Sequence, residues 1–133
     1  MQNSTKEPQY VFTNEDVARK SKLAATFLET RLSLNKNVDA ANNSFVKRFY
    51  NLDHNAYLEG GAISAKVKEL MGLSVSAALR CDDCISYHII QSYRIGCNQQ
   101  EVEDSLNIAL IIGGSIVIPH LRRAYALISE VFA

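Results

Sequence analysis

The sequence predicts an all-α protein, and three observations carry that prediction. Apolar residues recur at helical spacing in one segment after another, strand-like alternation is absent, and glycine and proline fall at the joints between the segments. No internal repeat or low-complexity stretch interrupts this plan.

Residues 1–12 read as a loose arm, followed by a single domain over residues 13–133. Thr13 or Asn14 can cap a first helix, with Glu15 and Asp16 set against its positive end. Val17, Ala24, Phe27, Leu28 and Leu32 then follow at helical spacing. A second helix is expected from about Val38 to Leu52, with Phe45, Val46 and Phe49 on its inner face, and Gly60-Gly61 mark the clearest break in this half. Ser64 opens a third helix through Val67, Leu70, Met71, Leu73 and Val75. From Ser74 to Leu79 it has no strongly polar face, so it needs cover on nearly all sides. Asp82 and Asp83 suit the first turn of a fourth helix, which runs through Ile85, Ile89 and Ile90 to a left-handed stop at Gly96. Asn98 and Glu101 have the spacing of a capping box, and the fifth helix they open continues through Val102, Leu106, Ala109 and Leu110 to the Gly113-Gly114 break. Ser115 can cap a sixth, with Pro119 near its first turn, where a missing donor costs least. About six helices result.

A chain of 133 residues with 47% hydrophobic content can build a core without disulfide or metal staples. Fourteen basic and fourteen acidic side chains cancel, and no basic stripe gathers, which argues against nucleic acid and anionic membrane as partners. Lys47-Arg48 and Arg122-Arg123 read as solvated surface. Met1 to Gln9 lacks the apolar stretch of an export signal, and the run Ile108–Ile118 is broken by Gly113-Gly114, well short of the ~20 residues that span a bilayer. The expected location is the cytoplasm, with no membrane segment. Three cysteines in such a chain point to a reducing compartment, where a close pair is more often catalytic or metal-binding than structural.

The chemistry concentrates in Cys81-Asp82-Asp83-Cys84-Ile85-Ser86-Tyr87-His88. Two thiols and an imidazole stand at i, i+3 and i+7, within about 60° of one another at about 100° per residue, so one helix face carries all three. At a helix start the backbone can adjust to join two cysteines three apart. Free backbone donors and the positive helix end favour a thiolate there, an imidazolium at His88 would add to this, and Asp82 and Asp83 oppose it. Two thiolates, the imidazole and the Glu69 carboxylate could also complete a tetrahedral zinc shell, although the second C-x-x-C or paired His that usually marks one is missing, so a non-catalytic metal-binding or interaction protein using Cys81, Cys84, His88 and Glu69 is the rival reading.

The segment from Lys68-Glu69-Leu70 through Cys81, Cys84 and His88 to Tyr93-Arg94-Ile95-Gly96-Cys97, Glu101 and Gly113-Gly114 resembles the alkylhydroperoxidase-like (AhpD-like), or carboxymuconolactone decarboxylase-like, proteins. In these a Glu precedes a C-x-x-C pair that is followed four residues later by His. The resemblance covers roughly residues 62–127 and implies an AhpD-like helical bundle. It implies a proton relay in which Glu69 and His88 help deprotonate Cys84, which attacks a peroxide or disulfide before Cys81 resolves the intermediate into a Cys81–Cys84 disulfide. No organic cofactor is needed, and a thiol reductant is the implied partner. The prototype peroxidases carry His immediately before the second cysteine, where this chain has Asp83, so turnover with organic hydroperoxides is expected to be weak. The true lactone decarboxylases of the superfamily typically lack the cysteine pair, so decarboxylation is not expected.

Among the remaining candidates, His120 reads as packing or hydrogen bonding at a helix start, with the same pocket as its other place, and His54 as part of a polar helix end. Tyr87 and Tyr93 read as packing residues, Tyr87 with a place beside the thiols, and Cys97 as a small buried hydrophobe. The apolar stretches Leu70–Leu79 and Ile108–Ile118 exceed what one side of a small helical domain can use, which points to a homo-oligomer. The resemblance makes that a trimer or a hexamer.

Overall fold

A computed structural model describes residues 4–133, and residues 1–3 of the expected arm lie outside them. The elements of the described chain are all helical: α1 (Asn14–Lys20), α2 (Lys22–Ala41), α3 (Ser44–Ala56), α4 (Ala65–Ala78), α5 (Asp82–Arg94), α6 (Gln99–Gly113), a short 3-10 turn (Ser115–Val117) and α7 (Ile118–Val131). The capping signals explain most of these boundaries. Thr13 with Asp16 and Asn98 with Glu101 each form a complete capping box, Ser64 caps α4, and Gly96 takes the left-handed conformation (φ +100°) that ends α5.

Local chemistry also accounts for the differences from the expected plan. The first helix is two, because Ser21 is extended (φ −132°, ψ 120°) and buried. Its hydroxyl caps α2 through the Ala24 amide and donates to the Glu130 carboxylate at 2.9 Å. The expected second helix starts late, because α2 runs on to Ala41, Asn42 takes a left-handed φ of 50°, and Asn43 caps α3. Ser115 caps nothing and instead begins the 3-10 turn that leads into α7 with Pro119 in its first turn. From Lys6 onward the arm is held. Lys6 pairs its backbone with Glu59, the amides of Val11 and Phe12 reach the Arg94 carbonyl, and the Phe12 ring stacks on Tyr93 at 4.5 Å. Gly60 makes room for it, since a Cβ there would sit 2.0 Å from the Ser4 carbonyl oxygen.

α4 packs against both α5 and α6, and α5 against α7, burying Leu73, Ile85, Ile89, Ile90, Leu106 and Ile128 almost completely. Each such side chain contributes roughly 1.5–3 kcal/mol of transfer free energy, so α4 and α5 form the stable centre of the fold. The second half of α2 and all of α3 lie outside this core. α3 buries no residue, and its expected inner face is largely exposed, Phe45 at 75% and Phe49 at 60%. Met71 and Val75 of α4 and Leu79 just after it are also uncovered. No helix among the described residues is long and apolar enough to cross a membrane.

Candidate active site

Cys81 is the N-cap of α5, held extended, and its sulfur accepts the Cys84 amide at 3.3 Å. The sulfur thereby takes up one of the donors that every helix start leaves unpaired. Cys81 and Cys84 are joined as a disulfide across one turn, with Cα atoms 5.3 Å apart. Cys84 is exposed while Cys81 is half-buried.

One turn further along α5, His88 is 8% exposed and its Nδ1 lies 2.8 Å from Oε2 of Glu69, itself 3% exposed, on α4. Nδ1 is thus the ring nitrogen engaged with the buried carboxylate, and Nε2 is turned away from it. Nε2 faces the Tyr57 hydroxyl at 3.5 Å. Burial, and then the charge of Glu69, push Tyr57 up to about 12, so it meets the imidazole as a neutral hydroxyl. The same two causes raise Tyr87 and, through partial burial, Tyr10.

Gly72 makes this geometry possible. It lies inside α4, one turn after Glu69, rather than at a joint as glycines were expected to. A Cβ there would approach Cε1 of His88 to 2.7 Å and the Tyr57 hydroxyl to 2.8 Å.

Cys84 and His88 open on one cavity of about 460 Å³, walled by Phe27, Arg31, Phe49, Tyr50 and Tyr87. Tyr87 is therefore a wall beside the thiols, with the Arg31 guanidinium 4.6 Å above its ring. Asp83 also faces the cavity. Behind Glu69 a smaller cavity of about 90 Å³, lined by Tyr10, Tyr57 and Gln91, has room for water.

The other candidates stand apart. His120 does not line the cavity, and its Nδ1 bonds Asp82 at 2.8 Å. His54 pairs with Glu7. Arg123, read from sequence as free surface, reaches Asp82 at 3.2 Å. Tyr93 packs between Phe12 and Phe132. Cys97 is buried, and burial pushes its thiol up to about 11. Among the described residues no group of three or more His, Cys, Asp or Glu is placed to hold a metal ion. The set Cys81, Cys84, His88 and Glu69 is not assembled as a zinc shell, because the sulfurs are bonded to each other and the imidazole to the carboxylate.

Tyr57, Gly72 and Arg31 escaped the sequence reading. Gly72 alone left a signal there, a glycine three residues after Glu69 inside a helical pattern.

The carboxymuconolactone decarboxylase family model matches residues 43–126, a span that holds Glu69, both cysteines of the pair and His88. The chain belongs to the carboxymuconolactone decarboxylase family. Two crystal structures of TM1620 from Thermotoga maritima are similar to this family member at 48% identity, covering 79% of this chain and 91% and 88% of theirs, with TM-scores of 0.74 and 0.73. One of them is described as a carboxymuconolactone decarboxylase family protein with a possible involvement in antioxidative response. The structure of apo-lpg0406 from Legionella pneumophila shares the fold, with a TM-score of 0.70 at 21% identity over 84% of this chain and 96% of that one. H16_B0147 of Cupriavidus necator is 29% identical over 71 residues, which are 53% of this chain and 63% of that protein. This chain thus spans less than two thirds of that relative's length.

Proposed function

We propose that this family member is a thiol oxidoreductase that exchanges electrons between the Cys81–Cys84 pair and a small peroxide or disulfide. One observation carries the reading: the buried Glu69–His88 pair and the exposed Cys84 open on the same cavity, with Cys81 one turn away.

In the reduced protein Nε2 of His88 takes the Cys84 proton, directly or through a water, while Glu69 holds the resulting imidazolium. The Cys84 thiolate attacks the terminal peroxide oxygen and the O–O bond breaks. The leaving alkoxide takes the proton from His88, giving an alcohol and a sulfenic acid on Cys84. Cys81 then attacks that sulfur, an S–S bond forms, and hydroxide leaves as water with the Cys81 proton. The peroxide is reduced by two electrons and the cysteine pair oxidised by two. A dithiol reductant returns the pair to thiols. A cavity of about 460 Å³ with aromatic walls suits a substrate with an apolar body.

Asp83 sits where the prototype peroxidases carry a histidine, and its carboxylate puts negative charge beside Cys84 in place of an imidazole, which disfavours the thiolate. Peroxide turnover is therefore slow in this reading, and thiol–disulfide exchange is the more general activity. Lactone decarboxylation is no part of it.

The test is a thiol map. Protein reduced, freed of reductant and given one equivalent of cumene hydroperoxide should regain the Cys81–Cys84 bond. Cys81→Ser should still consume the equivalent and stop at a Cys84 sulfenic acid, while Cys84→Ser should not consume it. Consumption by Cys84→Ser at the wild-type rate would sink the assignment.

A further inference from the structure

The N-terminal turn of α5 carries a device that the proposed relay does not use. Asp82 follows Cys81 directly, so its carboxylate is carried by the residue next to the Cys81 sulfur, on a Cα about 3.8 Å from that of Cys81. A first-turn aspartate already has the helix end as its partner. This one has both oxygens engaged from α7 as well. His120 Nδ1 meets Oδ1 at 2.8 Å, and the Arg123 guanidinium meets Oδ2 at 3.2 Å. Neighbouring Asp83 forms no such pair among the described residues and faces the cavity.

We infer that His120 and Arg123 are positioning residues that offset the Asp82 charge beside Cys81 and so keep Cys81 the sulfur that leaves when the disulfide opens. The inference rests on the thiol oxidoreductase reading and adds the direction of the reductive half-reaction. Cys84 is the exposed sulfur and lines the cavity, so an incoming thiolate reaches it first. That thiolate, from a small dithiol, bonds to Cys84, the Cys81–Cys84 bond breaks, and its electron pair stays on Cys81. The second thiol of the dithiol then displaces Cys84, so the dithiol closes to a disulfide and two electrons pass to the protein. The two protons of the dithiol go to the protein thiols, or to water for as long as Cys81 remains a thiolate.

Exchange is faster and more complete when the leaving thiolate is stabilised. The Cys84 amide on the Cys81 sulfur and the helix end supply that stabilisation. An unscreened Asp82 would remove much of it. Two donors on one carboxylate, reached from a helix 38 and 41 residues further along the chain, hold its charge away from the sulfur without removing the residue that starts α5.

The experiment is redox equilibration of the purified full chain with dithiothreitol mixtures, read by alkylation and mass, for wild type, Asp82→Asn, His120→Asn, Arg123→Gln and Asp82→Asn/Arg123→Gln. Asp82→Asn should make the disulfide easier to reduce and Arg123→Gln should make it harder, each by about threefold in the equilibrium constant for a unit charge at a half-exposed site, and His120→Asn, which takes the Nδ1 partner from Asp82, should shift it in the same direction as Arg123→Gln. In the double variant the Arg123 effect should shrink, since its contact is gone. Arg123 is exposed, so its replacement leaves the fold in place. Shifts below about twofold for both α7 variants, or shifts in the same direction as Asp82→Asn, would overturn the inference. A wild-type pair that never forms a reversible disulfide would instead overturn the oxidoreductase reading itself.

Discussion

Replacing Gly72 with alanine sets two effects of known size against each other. In an exposed helix interior the change is favourable by about 1 kcal/mol, since glycine is the poorer helix former. At this position the new Cβ would lie 2.7 Å from Cε1 and 2.9 Å from Nε2 of His88, and 2.8 Å from the Tyr57 hydroxyl. Ordinary carbon contacts begin near 3.5 Å, so the imidazole must retreat by almost an ångström or the helix must shift. If the ring moves, the 2.8 Å bond to buried Glu69 breaks, and a lost hydrogen bond to a charged group costs about 1.5–3 kcal/mol. If it stays, overpacking costs about 1–3 kcal/mol. Either cost matches or exceeds the gain, so Gly72→Ala should destabilise the oxidised protein by up to about 2 kcal/mol in denaturant titration at fixed concentration. Alkylation of Cys84 in the reduced variant should slow across the neutral range, because the relay loses its alignment. A variant more stable by about 1 kcal/mol with unchanged Cys84 reactivity would show that the imidazole does not occupy the space over Gly72.

Three further outcomes are expected. On mild oxidation of the reduced protein, mass mapping should find Cys81 linked to Cys84 and Cys97 still a thiol, because burial holds that thiol near 11 and leaves little thiolate at neutral pH; a disulfide through Cys97 would contradict the site. Asp83→His should raise hydroperoxide turnover over a weak wild-type rate, and a robust wild-type rate would show that the position matters less than argued. In sedimentation at micromolar concentration the chain should run as a homo-oligomer, with a trimer or hexamer expected, and a particle of one chain's mass would refute this.

The legible parts of the fold were those with local causes. Thr13, Ser64 and Asn98 announce helix starts, and Gly96 a stop, through chemistry confined to one turn. Cys81, Cys84 and His88 could be placed on one helix face because their spacing is helical, whereas Glu69, on the preceding helix, was singled out only through the family resemblance. Ser21 was hidden, since its reason for breaking a helix is Glu130, 109 residues away. The hold on the N-terminal arm was hidden likewise, in backbone bonds to Arg94 and Glu59. Tyr57 and Arg31 looked like any other Tyr and Arg until α3 and α2 brought them to the imidazole and to the Tyr87 ring.

The site also divides the molecule by stability, and that division bears on assembly. Its chemical half rests on α4 and α5, whose shared face is the best buried part of the fold. Its cavity wall comes from α2 and α3, which contribute Phe27, Arg31, Phe49 and Tyr50, and α3 has no buried residue to hold it. Leu32, Leu34, Phe45 and Leu52 remain exposed on those two helices, while Ile108, Ile111, Ile112 and Ile116 are exposed on α6 and the turn after it, each by more than half. Single exposed apolar residues need no explanation, but two such groups on different parts of one small chain do. If a second copy covers α3, the same contact that removes this surface from water also steadies the cavity wall over Cys84. Dissociation would then loosen the cavity wall first and leave the Glu69–His88 pair and the disulfide, seated in the α4–α5 core, in place.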